Sequence, residues 1–168
     1  SLFTPQIDGC ITDYFEWLAA GSADLSPGGA MHAAHNEFST LFYGYDKENL
    51  YLRLDPQEEL ASLTGPKGFL EVRLRVKEDF RVRITPGDSS APLWITSSEK
   101  PIKEGTASCG HIVEAAIPLA PLQIEAGETI VLTLHLYKGE KEGARWPSEG
   151  ALKLPFRGEA LDLEEWLV

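Results

Sequence analysis

From Glu37 onward apolar residues recur at every second position, the spacing of strands that bury one face. STLFYGYD and NLYLRLD flank the polar turn DKEN, which predicts a hairpin with Leu50, Leu52 and Leu54 inward and Tyr51 and Arg53 outward. FLEVRLRV and FRVRIT repeat the device around a KED turn. Leu70, Val72, Leu74 and Val76 in the first strand and Phe80, Val82 and Ile84 in the second face the core, leaving Glu71, Arg73, Arg75, Arg81 and Arg83 on the wet side. LWITS reads as a short strand and HIVEAAIPL as a strand that ends at Pro118. TIVLTLHLYKG is the most hydrophobic strand, with Ile130, Leu132, Leu134 and Leu136 on its core face, and ALKLPF adds an edge strand before Pro155.

Helical spacing is confined to IDGCITDYFEWLAAG, where Ile11, Tyr14 or Phe15 and Leu18 share a face, Asp13 and Glu16 form a capping box, and Gly21 ends the turn. SADLSPGGAMHAAHNE, TPGDSSAP, SEKPIKEGTAS and KGEKEGA hold no sustained period and read as joints and loops. Roughly seven to nine short strands with little helix predict an all-β domain over residues 1–168, an antiparallel β-sandwich with one short N-terminal helix. A parallel sheet would need helical crossovers that the chain does not provide.

Length and composition narrow the function classes. The 168 residues are 43% apolar, enough for one substantial core. Fifteen Lys and Arg against 26 Asp and Glu give a net charge of −11, a field that opposes nucleic-acid backbones and anionic membranes. No apolar run approaches the roughly 18 to 20 residues of a membrane span. Cys10 and Cys109 allow at most one disulfide and match no zinc or iron–sulfur spacing. The sequence fixes no cellular compartment.

Catalytic motifs are sparse. His32-Ala-Ala-His35 with Glu37 offers three metal-ligating side chains, but in a loop rather than on the helix of an HExxH site, so polar loop residues are the competing reading. His111 and His135 fall in strands without a GxSxG elbow. Neither GxGxxG nor a P-loop occurs, so no nucleotide cofactor is expected. No catalytic residue, metal or cofactor is assigned. At the first hairpin, where Tyr43, Tyr45 and Tyr51 gather, Asp46, Glu48 and Asp55 offer acceptors for a saccharide or calcium, against simple solvation of those carboxylates.

Aromatic residues suggest a binding function instead. Trp146 stands between Arg145 and Pro147, joining a flat ring, a multi-donor guanidinium and a stiff turn; it reads either as a core plug or as a saccharide contact. Trp94 in APLWIT faces either core or groove, with the core preferred, and Tyr43 stands in the first hairpin. Trp17 and Trp166 read as anchors of the two ends. The candidate carbohydrate-binding set is Trp146, Arg145, Trp94 and Tyr43. The arginines at 73, 75, 81 and 83 form an alternating basic face, read with Glu71 as ion pairing between sheets or domains.

TPQIDGCITDYFEWLAAG, the following MH, LFYGYDKENLYLRLD, VEAAIPLAPL and RWPSEGALKLP, in that order, resemble the C-terminal β-sandwich region attached to glycoside hydrolase family 57 proteins, a group of α-amylase-like enzymes. That accessory region is itself similar to DOMON-like or carbohydrate-binding modules. The resemblance implies that IDG with Asp8 begins the module, that the first hairpin forms early and that Arg145-Trp146-Pro147 lies in a late loop. It implies no enzyme in this chain, since nothing corresponds to the catalytic barrel. The expected role is a noncatalytic accessory fragment of a larger glycoside hydrolase that binds an α-glucan or oligosaccharide, or packs on the catalytic domain of the same polypeptide. An intracellular setting accompanies such enzymes. A DOMON-like haem site through Met31 and His32 is the outlying alternative.

Overall fold

The computed structural model describes residues 21–25 and 38–156. The expected N-terminal helix, Asp8, Met31, both histidines of His32-Ala-Ala-His35, Cys10, Trp17 and Trp166 lie outside the described residues; Gly21, the expected helix stop, opens a strand. The strands are β1 (Gly21–Asp24), β2 (Phe38–Tyr45), β3 (Asn49–Pro56), β4 (Phe69–Arg75), β5 (Asp79–Ile84), β6 (Ser90–Ile95), β7 (Lys103–Cys109), β8 (Val113–Pro118), β9 (Thr129–Lys138), β10 (Lys141–Trp146) and β11 (Leu152–Pro155). A one-turn helix, α1 (Leu60–Thr64), joins β3 to β4, and a 3-10 turn at Ala120–Leu122 follows β8.

Every pairing is antiparallel, in the order β1-β2-β3-β8-β7-β6-β5-β4-β9-β10, with β11 on β9 beside β10. The all-β antiparallel class therefore holds. Among the described residues the two separate sheets of a sandwich are not seen: hydrogen bonding runs unbroken through one sheet curled into a half-barrel. The connectivity explains why. Strands β4 to β8 form a meander in which each pairs with the next, and its two ends are joined to β9 and β3, leaving no break where a second sheet would start. Curling then brings strands from opposite ends of the order together. Phe38 meets Trp146 edge-on at 4.7 Å between centroids, and Tyr45 meets Phe156 at 4.6 Å.

The concave face holds one core cluster, including Leu52, Leu70, Val72, Val82, Leu132 and Leu134, as the alternation predicts. On β3 the outward side is not wet. Tyr51 is buried and donates to Asp46 Oδ2 at 2.5 Å, and Arg53 is buried beneath its 2.7 Å pair with Asp55. Glu114, its partner in the adjacent strand, is fully buried, so both faces of β3 and β8 are covered at this point.

Four further corrections concern weakly patterned segments. Ser22–Asp24 belongs to a strand rather than a loop. SEKPIKEGTAS yields β7, whose inward residues are Gly105 and Ala107; a Cβ on Gly105 would lie 2.2 Å from the Ala116 carbonyl oxygen, so this strand is small-sided where it meets its neighbour. KGEKEGA yields most of β10, folded back on β9 after Gly139, and the Arg145-Trp146 pair ends a strand instead of lying in a loop. His111 occupies the exposed bend between β7 and β8 rather than a strand.

A bulge sets the faces of β10. Glu142 stands opposite Tyr137, but Ala144 stands opposite Leu136, leaving Gly143 as the extra residue. The shift places Arg145 opposite outward-facing His135 and Trp146 opposite inward-facing Leu134; continuous register would exchange the two. Trp146 is consequently 5% exposed within the core. Trp146→Ala is expected to cost about 3–5 kcal/mol, the usual range for truncating a buried aromatic, as measured by urea unfolding. Deleting Gly143 should cost at least as much, because it turns Trp146 outward and Arg145 inward.

Candidate functional site

Alternation on β4, β5 and β9 directs one set of side chains into the core and sends the other to the convex face. There Arg73, Arg75 and Arg81 meet Thr133 from β9 and Arg145 from β10 around an open groove of about 530 Å³, with Glu71 at its floor. Glu71 is buried, and Arg73 Nε donates to its Oε2 at 2.8 Å while Arg81 Nη1 lies 3.7 Å from its Oε1. Arg75 pairs with Asp79 at 2.9 Å, out in solvent, where such a pair contributes little.

Aromatic rings hold the guanidinium groups in place. Arg81 lies 4.7 Å over Trp94, while Arg83 lies 4.0 Å over Phe69 and 5.5 Å from Trp94. Phe69 stacks on Tyr137 at 4.7 Å, and Arg73 Nη2 donates to the Tyr137 hydroxyl at 2.8 Å. The contacts close a circuit from Tyr137 through Phe69, Arg83, Trp94, Arg81, Glu71 and Arg73 back to Tyr137. Arg145 donates from Nη1 to the carbonyls of Pro147 and Ser148 and from Nη2 to that of Gly150, tying down the connection between β10 and β11.

Beside the groove, His135 is 3% exposed and its Nδ1 is hydrogen-bonded to Glu142 Oε1, while its Nε2 is 2.9 Å from Thr133 Oγ1. A carboxylate only accepts, so Nδ1 carries the proton and Nε2 receives the threonine hydroxyl. Burial holds the imidazole pKa below its ordinary value of 6.5 against the Glu142 hydrogen bond, and the charges of Arg73 and Arg145 act with burial. The hydrogen bond from His135 holds Glu142 below its ordinary 4.5. The order hydroxyl, imidazole, carboxylate is that of a nucleophile relay.

The sequence candidates divide between the two faces of the sheet. Arg145 lines the groove, and Trp94 adjoins it on the convex face through Arg81, against the preference for a core position. Trp146 and Tyr43 pack with the core on the concave side and do not join them. The basic face of the β4–β5 hairpin was visible in the sequence, but Thr133, His135 and Glu142 were not brought together by it. At the first hairpin, Asp46 Oδ1 accepts from the amides of Glu48 and Asn49, and Asp55 is engaged by Arg53; among the described residues no three His, Cys, Asp or Glu side chains converge as a metal site. Cys109 is a free thiol whose pKa burial pushes up to about 11, so it is protonated at neutral pH. A larger groove of about 740 Å³ lies elsewhere, but there Lys47 and Lys103 are matched by Glu48 and Glu104.

No protein-family model and no curated protein sequence matches the chain. The fold and site define an all-β protein with one curled antiparallel sheet and an arginine-lined groove on its convex face.

A histidine whose folded pKa is depressed leaves the unfolded chain binding more protons as pH falls below 6.5, so stability is lost in that direction. Glu142, also depressed, acts the same way but only below 4.5. Urea midpoints should therefore fall between about pH 7.5 and about pH 5 through His135 alone of this pair, and His135→Gln should flatten that dependence. An equal slope in the variant would refute the assignment.

Proposed function

We propose that the chain is a noncatalytic saccharide-binding module that serves a glycoside hydrolase acting on α-glucans. The observation that carries this reading is the groove itself: guanidinium groups positioned by aromatic rings on a rigid sheet face, open to solvent. Binding through planar donors to hydroxyls would raise local substrate concentration for a catalytic domain in the same polypeptide without breaking a bond. The link to family 57 enzymes rests on the sequence strings.

Trp94 is the first residue to test. Its ring supports Arg81 and borders Arg83, so Trp94→Ala removes the platform that orients them. Calorimetric titration with maltoheptaose, a branched dextrin and acidic derivatives of both, with and without calcium, should give saturable heat with at least one. Trp94→Ala should weaken it about tenfold, the scale of one lost charged hydrogen bond, while circular dichroism shows a folded sheet. Silence across the whole panel would point to a domain that only supports its catalytic partner.

A second reading is favoured by the Thr133–His135–Glu142 relay, which has the proton order of an acyl-transfer nucleophile. It predicts hydrolysis of activated aryl esters that disappears in Thr133→Ala; under the binding reading, hydrolysis stays at the buffer rate.

A further inference from the structure

On the convex face of β4, β5, β9 and β10 the charges do not balance. Arg73, Arg75, Arg81, Arg83 and Arg145 project there with three carboxylates, Glu71, Asp79 and Glu142, in a chain whose net charge is −11. Two of the arginines have close carboxylate partners, Arg73 with Glu71 and Arg75 with Asp79. Among the described residues the other three do not. The carboxylate beside Arg81 is that of Glu71, 3.7 Å away and already hydrogen-bonded by Arg73. Arg145 bonds to backbone carbonyls, which occupy three of its five N–H groups without neutralising its charge. Arg83 packs against Phe69 and Trp94, and its buried Nε has no hydrogen-bond partner among the described residues.

A surplus of cations destabilises a folded surface unless an anion completes it, and the cost rises where the charges are partly withdrawn from water. Arg81 is 25% exposed and rests on a ring, so its side-chain entropy is largely lost before any ligand arrives. A guanidinium presents paired N–H groups that match the two oxygens of a carboxylate or phosphate. We infer that the groove takes a saccharide carrying an oxyanion, a phosphate monoester or carboxylate on the sugar, in preference to the neutral sugar, with Arg81 and Arg145 facing the anion. This rests on the saccharide-binding reading above.

The test compares maltotriose, maltotriose bearing a 6-phosphate, maltotriose bearing a 6-carboxylate, and inorganic phosphate by calorimetry on the full chain. At least one acidic sugar should bind about tenfold more tightly than maltotriose, as one charge-assisted hydrogen bond gives. Added salt should shrink that preference. Arg81→Gln, which keeps donors but removes the charge, should reduce it toward unity; Lys67→Gln, which removes the same charge at an exposed position outside the groove, should leave it unchanged and serves as the folded control. Equal affinity for neutral and acidic sugars overturns this inference and leaves the saccharide reading standing. Inorganic phosphate bound as tightly as the sugar phosphate overturns the saccharide reading and this inference with it, leaving an anion site alone. Absence of binding by all four overturns both.

Discussion

Strand β9 is the element on which the molecule depends. It pairs with β4 along most of its length on one edge, and with β10 and β11 end to end on the other. Its even-numbered residues from Ile130 to Leu136 are buried in the core, while Thr133, His135 and Tyr137 contribute to the convex face. The two-residue period makes these sets inseparable: a slip of one position would place imidazole, hydroxyl and phenol in the core and expose four aliphatic side chains. Hydrophobic burial therefore fixes the register of the site as well as of the core. That linkage explains how an open sheet face can hold polar groups at hydrogen-bonding distance.

Closure of the curl imposes the second constraint. A half-barrel leaves its end strands without hydrogen-bonding partners across the gap, and side chains must hold them together. Phe38 against Trp146 and Tyr45 against Phe156 do so near β2 on one side and the broken edge of β10 and β11 on the other. The same bulge at Gly143 that sends Trp146 to this seam sends Arg145 to the groove. One inserted residue thus serves the core and the convex face together.

Much of the fold was legible because most strands carry large apolar residues at alternate positions. β7 was hidden because its inward side is Gly105 and Ala107, which give little hydropathy contrast although the close approach to β8 demands small residues. β10 was hidden because Lys141, Glu142 and Gly143 read as loop and Trp146 is its one large buried residue. At the site, the arginines of β4 and β5 and Arg145 could be named from their positions. Trp94 was preferred in the core, since Leu93, Trp94 and Ile95 are all apolar and the phase is decided by the pairing of Leu93 with Val82. The His135–Glu142 contact depends on the turn after Lys138, and the face of Arg145 on the bulge; neither is written in the hydrophobic period.

The arginine face also shows why counting ion pairs misjudges such a surface. An exposed pair such as Arg75 with Asp79 is screened by water and adds little, whereas Arg81 and Arg83 lie over the rings of Trp94 and Phe69. Stacking fixes the plane of a guanidinium while leaving its edge free to donate. It also lets an acidic protein concentrate positive potential over a few residues, since carboxylates beyond a Debye length are screened by solvent. Local geometry, rather than the overall charge of −11, therefore determines the sign of ligand this face can receive.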